Sequence, residues 1–256
     1  MPADIRLIST DFDGTIHEDF AHAAIPEALQ EKFGRLQATG VLWVINTGRD
    51  LSSLMESLGR AHCRVQPDYV VTVEREIHQH VRGHYQPLEP WNTNCSSDHA
   101  DIFTRHSAEL TALMDSLEVR FDANFYRDVW SPLCAIARSN AQMDAIQTEL
   151  ETFCTEVGEL VPVRNDVYVR LSHRRYSKGT ALQEIQRRHG LSAAQTFAAG
   201  DHLNDLPMLR RSVAEWLVTP VNGLPEVKAQ VTAEGGYLAA KKCGEGILEG
   251  LIRLGL

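Results

Sequence analysis

Short apolar runs of four or five residues alternate along this chain with longer segments whose apolar positions recur every three or four residues. The runs predict buried strands and the longer segments predict amphipathic helices. Ile5, Leu7 and Ile8 make the first run. Pro26 then opens a helix expected over Glu27–Ala38, with Leu29, Phe33 and Leu36 as its apolar stripe and Gly40 beyond its end. Residues 41–45 read as a strand, residues 51–58 as a second helix and residues 69–73 as a third strand. This β-α-β-α-β order predicts a parallel sheet with helices on both faces.

The pattern changes over roughly residues 77–176. Charged turns come first, then a long helix near residues 100–117, a short strand at 133–137, a helix at 141–157 and strands at 160–164 and 167–171. This stretch predicts a smaller α+β unit inserted into the first domain. Alternation then resumes. A helix is expected over Lys178–His189, with Leu182 and Ile185 inward and Gly190 closing it, followed by a strand at Thr196–Ala199. A helix at 206–211, a strand at 216–218 and a terminal helix at 247–254 complete the pattern. The expected fold is an α/β core with a Rossmann-like, doubly wound parallel sheet.

Composition narrows the functional classes. A chain of 256 residues, 43% hydrophobic and 23% charged, can bury a sizeable core as one large or two smaller domains. Its net charge of −9 argues against a nucleic-acid backbone as partner, which needs a basic footprint, but allows a small phosphorylated ligand. Cys63, Cys95, Cys134, Cys154 and Cys243 are scattered and make no CxxC pair, so neither a zinc cluster nor a disulfide framework is expected. No apolar run reaches membrane-spanning length, and Met1-Pro2-Ala3-Asp4 lacks a signal-peptide pattern. A cytoplasmic protein with no membrane partner is the expectation, and no oligomeric state follows from the sequence.

The first strand runs into Asp11-Phe12-Asp13-Gly14-Thr15. Carboxyl ends of parallel strands are where open α/β sheets bind ligands. Two carboxylates there repel each other unless a cation or a proton offsets them, and hard oxygen ligands beside a phosphate suit Mg²⁺. Asp11 could attack phosphorus, and Asp13 could protonate the leaving oxygen and later deprotonate water. Gly14 lets the backbone approach an anion closely. Thr47-Gly48-Arg49 ends the next strand and offers a hydroxyl and a backbone N–H. Lys178 opens a helix, where the dipole disfavours a cation. Asp201 and Asp205 lie four residues apart after another strand, with Asn204 between them. Each piece also has a plain reading: an Asp-Gly turn, helix caps at Thr47 and Asp201, a surface lysine at 178.

As an ordered set, DFDGT, NTGR, SKG and GDHLNDLPML resemble the four motifs of the haloacid dehalogenase superfamily of phosphatases. The insert lies between the second and third motifs, similar to the Cof-like and sucrose-phosphatase-like subgroup with a type IIB cap. VNGLPEVK at residues 221–228 and Gly244-Glu245-Gly246-Ile247 also resemble that subgroup. The resemblance implies a discontinuous core of residues 1–81 and 175–256 and a substrate-selecting cap of residues 82–174. It implies Asp11 as nucleophile, Asp13 as general acid/base, Thr47 as phosphate ligand and Lys178 as the neutralising cation. Gly14, Gly48, Arg49 and Asn204 would join Thr47 and Lys178 around the phosphate. Asp11, Asp13 through its backbone carbonyl, and Asp201 would ligate Mg²⁺, assisted by Asp205. The chain departs from the pattern at Glu74-Arg75-Glu76, where relatives often carry Asn-Gly-Ala.

The expected activity is Mg²⁺-dependent hydrolysis of a small phosphorylated metabolite, a sugar phosphate in particular. Arg49, Arg75, Tyr126, Arg127, His173, Arg174 and Arg175 are candidate contacts to the leaving group. Two other readings use the same core residues. Phosphate could pass to a sugar hydroxyl, or the protein could bind a phosphometabolite without turnover.

Overall fold

The computed structural model describes residues 4–256 and divides into two compact units. One comprises the chain up to Leu88 together with Ser177–Leu256, and the other is Glu89–Tyr176. The first unit begins with β1 (Leu7–Thr10), α1 (Glu27–Ala38), β2 (Leu42–Asn46), α2 (Leu51–Arg60) and β3 (Tyr69–Thr72), with β1, β2 and β3 paired in parallel. β4 (Glu76–Val81) and β5 (His84–Pro87) then add an antiparallel hairpin to the same sheet. This hairpin replaces the charged turns expected there. Of β4 only Ile77 is buried, so polar residues mask its two-residue period. Its turn, Arg82-Gly83, has φ of 51° and 85°, the paired positive values that suit a two-residue hairpin.

The second unit contains α3 (Trp91–Arg105), α4 (Ser107–Arg120), β6 (Asn124–Tyr126), β7 (Cys134–Ile136), α5 (Asn140–Val157), β8 (Leu160–Asn165) and β9 (Tyr168–His173). Its sheet has the order β6-β7-β9-β8 and is antiparallel throughout. The single helix expected near 100–117 is two helices, broken at His106 (φ −110°, ψ 22°). The break lets Ile102 of α3 and Leu110 and Leu117 of α4 reach one apolar core with Met143, Ile146 and Leu150 of α5 and Phe125, Ala135, Val169 and Leu171 of the strands. Ser139 caps α5 by accepting from the Gln142 N–H, and Gly158 (φ 81°) ends it in the left-handed conformation.

Back in the first unit follow α6 (Lys178–His189), β10 (Thr196–Ala199), β11 (Trp216–Thr219), α7 (Pro225–Ala233), β12 (Tyr237–Leu238) and α8 (Cys243–Arg253). The sheet order is β12-β11-β10-β1-β2-β3-β4-β5, and only the last two strands depart from parallel pairing. Both faces are covered, as the wholly buried strands require. Ile8, Trp43, Ile45, Val70 and Phe197 pack with Leu29 and Phe33 of α1, Leu54 of α2 and Ile247 and Leu251 of α8. Positions one residue over, Asn46 and Tyr69, instead bond to α6 through the Lys178 carbonyl and the His189 ring. The helix expected at 206–211 does not form. Residues 203–205 make a single 3₁₀ turn instead, and Gln230 Nε2 donates to the Leu206 and Leu209 carbonyls, acceptors that a continuing helix would use.

Candidate active site

Strands succeed one another in one direction from β1 to β3 and in the other from β10 to β12, so the winding reverses between β1 and β10. At such a reversal the crevice at the carboxyl ends is the ligand site of doubly wound sheets. Asp11 follows β1, Thr47-Gly48-Arg49 follows β2, Gly200-Asp201 follows β10, and α6 begins with Lys178. The Asp11 N–H still donates to Ala199 O at 2.9 Å, which extends the β1–β10 ladder one residue into the loop and fixes the Asp11 backbone.

Lys178 is the hub of this crevice. Its side chain is fully buried, and its Nζ donates to Asp11 Oδ1 and to Asp205 Oδ1, each at 2.6 Å. Ser177 and Thr180 form a capping box that sets the start of α6, so the lysine leaves the helix at a defined point. Burial alone would lower its pKa, but the Asp11 and Asp205 carboxylates, with Glu74 behind them, raise it instead. Burial also pushes the Asp11 carboxyl up, and repulsion from Asp205 and Asp201 adds to this against the pull of Lys178. Burial and Asp205 push Asp201 up to about 7, opposed by the Thr15 hydroxyl that donates to its Oδ1 at 2.6 Å.

Asp205 spends both oxygens on the protein. Oδ1 takes Lys178, and Oδ2 takes the Asp201 and His202 N–H groups at 2.9 Å each. It therefore ties the β10 loop to Lys178. A side chain at Gly200 would place its Cβ 2.4 Å from Asp205 Cγ, so only glycine lets the loop close this far. Gly14 has φ of +76°, and a Cβ there would meet Asp201 Oδ2 at 2.3 Å. Asn222 completes this wall by donating to Gly14 O at 2.7 Å. Thr15 and Asn222 were not singled out from the sequence, although both lie inside the segments that carried the resemblance.

The Asp13 side chain pairs with a different cation. Arg49 grips it with Nε to Oδ2 and Nη2 to Oδ1, both at 2.7 Å, and Arg49 Nη1 is itself held by Ser53 and Ser57. Burial would raise the Asp13 carboxyl, but the neighbouring His17 and Arg49 take it down to about 2. Thr47 is buried, and its hydroxyl oxygen accepts from Arg49 N at 3.2 Å.

Glu74-Arg75-Glu76 has a structural answer. Val73 and Glu74 adopt φ of 43° and 66°, the left-handed region that asparagine and glycine enter easily and that is costly for a β-branched valine. Glu74 is buried and accepts from Asn204 Nδ2 at 2.8 Å. A Cβ on Gly48 would lie 3.3 Å from Glu74 Oε1, so the three residues share one side of the crevice. Arg75 is buried too. Tyr126, Arg127, His173, Arg174 and Arg175 belong to the second unit. There Arg127 donates to Thr111, and Arg175 and Tyr176 donate to Asp98.

The chemistry of the donor set fits a divalent cation. Ligand oxygens of Asp11, Asp201 and Asp205 all lie within 4.8 Å of one another. Lys178 bonds Asp11 and Asp205 but not Asp201, so one ammonium serves a buried group of three carboxyls. A hard dication suits such a group of oxygens. Asn204 Oδ1 is also buried without a hydrogen-bond partner, an acceptor that water on such a cation could satisfy.

Comparisons with known proteins point to a family. The family model described as sucrose-6F-phosphate phosphohydrolase matches residues 5–255. A protein of Bacillus subtilis (strain 168), YxeH, is 23% identical over 251 residues, 87% of this chain and 89% of that one. Among solved structures, the sucrose-phosphatase of Synechocystis sp. PCC6803, in complex with sucrose and phosphate, has a TM-score of 0.77 at 23% identity and covers 99% of this chain and 98% of that one. A haloalkanoate-superfamily phosphatase of Bacteroides thetaiotaomicron has a TM-score of 0.68 at 17% identity over 98% of this chain and 95% of its own. The two structures establish the fold, an α/β core with a mostly parallel sheet. Among the described residues no helix is long and apolar enough to cross a membrane.

Proposed function

The chain belongs to the sucrose-6F-phosphate phosphohydrolase family of haloacid dehalogenase-like phosphatases, and on that premise we propose a Mg²⁺-dependent phosphomonoester hydrolase that acts on a sugar phosphate through an aspartyl-phosphate. The observation that carries the reading is the buried group of Asp11, Asp201 and Asp205 around Lys178 at the point where the sheet winding reverses. Phosphoryl transfer is catalysed mainly by positioning and by neutralising charge. This crevice supplies both.

Asp11 is the nucleophile. Lys178 holds Oδ1, which orients Oδ2 to attack phosphorus, and the ester oxygen leaves as the acyl-phosphate forms. Asp13 delivers the proton to that oxygen and later takes one from the attacking water. To do so it must rotate off Arg49, which in this structure holds it ionised. Asp11, Asp201 and the Asp13 backbone carbonyl would hold Mg²⁺, with Asp205 steadying them from Lys178 and the loop N–H groups. When bound, the ion supplies positive charge to the transferring phosphoryl oxygens. Thr47, Gly48 and the loop at Gly14 offer hydrogen bonds to the same oxygens. Asn204 and Glu74 brace the far side.

The substrate class rests on the family description and on the sucrose and phosphate bound by the Synechocystis enzyme. A panel of phosphate esters, sugar phosphates among them, run with and without Mg²⁺ tests it. Phosphate release confined to sugar phosphates with Mg²⁺, and lost in Asp11→Asn, is expected. Equal rates in the variant, or no turnover of any sugar phosphate, overturn the reading.

A further inference from the structure

Beside the crevice, Asp13 has two neighbours, His17 and Asp19, that the mechanism leaves unexplained. Asp13, His17 and Asp19 present one imidazole nitrogen and two carboxylate oxygens, all within 4.8 Å of one another. The His17 ring is fixed in place. It stacks on Phe12 with centroids 4.6 Å apart, while the His17 backbone N–H donates to Phe12 O and the His17 backbone carbonyl accepts from Gly14 N. His17 is only 6% exposed, yet its Nδ1 is buried and has no hydrogen-bond partner. That atom lies 3.6 Å from Asp13 Oδ1 and 3.7 Å from Asp19 Oδ1.

Those separations are too long for hydrogen bonds, which close at ~2.7–3.2 Å. They are close to the edge of a coordination tetrahedron. Ligand atoms at ~2.0–2.2 Å from a zinc ion stand about 3.4 Å apart. An orphaned buried nitrogen aimed between two carboxylate oxygens is therefore placed as a metal ligand. Imidazole in the set favours a first-row transition ion over Mg²⁺, which prefers oxygen alone.

We propose that Asp13, His17 and Asp19 form a second cation site, specific for a transition dication such as Zn²⁺ and distinct from the Asp11–Asp201–Asp205 group. The site itself stands without the catalytic reading. Its consequence rests on that reading, because an ion on Asp13 Oδ1 occupies an oxygen of the proposed proton carrier. Occupancy would then inhibit the enzyme.

The test is a calorimetric titration of the full chain with Zn²⁺ in millimolar Mg²⁺, for the wild type, His17→Leu and Asp19→Asn. Asp19 is an exposed loop residue, with 66% of its side chain accessible, so Asp19→Asn remains decisive if His17→Leu fails to fold. One Zn²⁺ that Mg²⁺ does not displace is expected in the wild type. Each variant should bind it more weakly by at least the ~10–100-fold that loss of even an outer partner of a metal ligand costs. No Zn²⁺ binding, complete displacement by Mg²⁺, or unchanged affinity in Asp19→Asn overturns the proposal. Phosphate release measured alongside separates the two ideas. Bound Zn²⁺ without inhibition refutes the role given to Asp13 and leaves the site standing.

Discussion

Replacing Lys178 with methionine keeps the volume of the side chain and removes its charge. The wild-type ammonium is fully buried and bonded at 2.6 Å to both Asp11 and Asp205, so the variant leaves two buried carboxylates without their partner. Breaking a buried pair from one side costs about 3–5 kcal/mol. In a chain of this size that is a fall of about 6–20 °C in melting midpoint. The cost depends on pH in a definite sense. Burial already holds the Asp11 carboxyl above its ordinary value, and losing Lys178 raises it further. A carboxyl raised in the folded state is stabilising while protonated, and that stability is lost as pH rises from the unfolded value through the folded one. The raised Asp11 carboxyl makes the deficit smaller at pH 5, where a proton on it more readily stands in for the ammonium, and larger at pH 8. Urea melts of both proteins in EDTA at these two pH values measure it. A deficit below about 1 kcal/mol at pH 8, or one that does not change with pH, refutes the argument that Lys178 offsets buried charge.

Two other outcomes follow from the same crevice. Without metal, Asp201 sits up at about 7, so its contribution to stability should fall as pH rises from about 4 to 7, and Mg²⁺ affinity should rise over the same window as the carboxyl becomes free to bind. Melts in EDTA and in Mg²⁺ across pH, with a Mg²⁺ titration at each value, check this, and a pH-independent Mg²⁺ affinity contradicts it. Gly14→Ala should lose most Mg²⁺-dependent phosphate release, because the new Cβ would lie 2.3 Å from Asp201 Oδ2 in a backbone with φ of +76°. The left-handed residue itself costs only about 1–2 kcal/mol, so the variant should still fold, and a fully active variant would show that Asp201 need not stay where it is.

Much of the core was legible because burial on both faces leaves strong marks. β1, β2, β3 and β10 are short apolar runs, and the polar residues just after them mark where each strand leaves the sheet. That placed Asp11, Thr47 and Asp201 at strand ends and Lys178 at a helix start. Other features were set by partners far along the chain. Asp13 and Arg49 are 36 residues apart, and nothing local announces their bidentate pair. Glu74 occupies a left-handed turn that its side chain disfavours, held there by N–H bonds to the Thr47 region and by Asn204. The β4–β5 hairpin was hidden because most of β4 is polar on both faces. The helix expected at 206–211 gave way because a distant amide, Gln230, takes the Leu206 and Leu209 carbonyls that a helix would use.

Trapping the covalent intermediate tests the central claim most directly. The enzyme is mixed with Mg²⁺ and a sugar phosphate it turns over, quenched within one turnover, and reduced with borohydride, which converts an aspartyl-phosphate to homoserine. Peptide mass spectrometry should find that conversion at Asp11 and at no other carboxylate, and only when Mg²⁺ and substrate are both present. Turnover with Asp11 unmodified, or the mark on a different residue, contradicts the account.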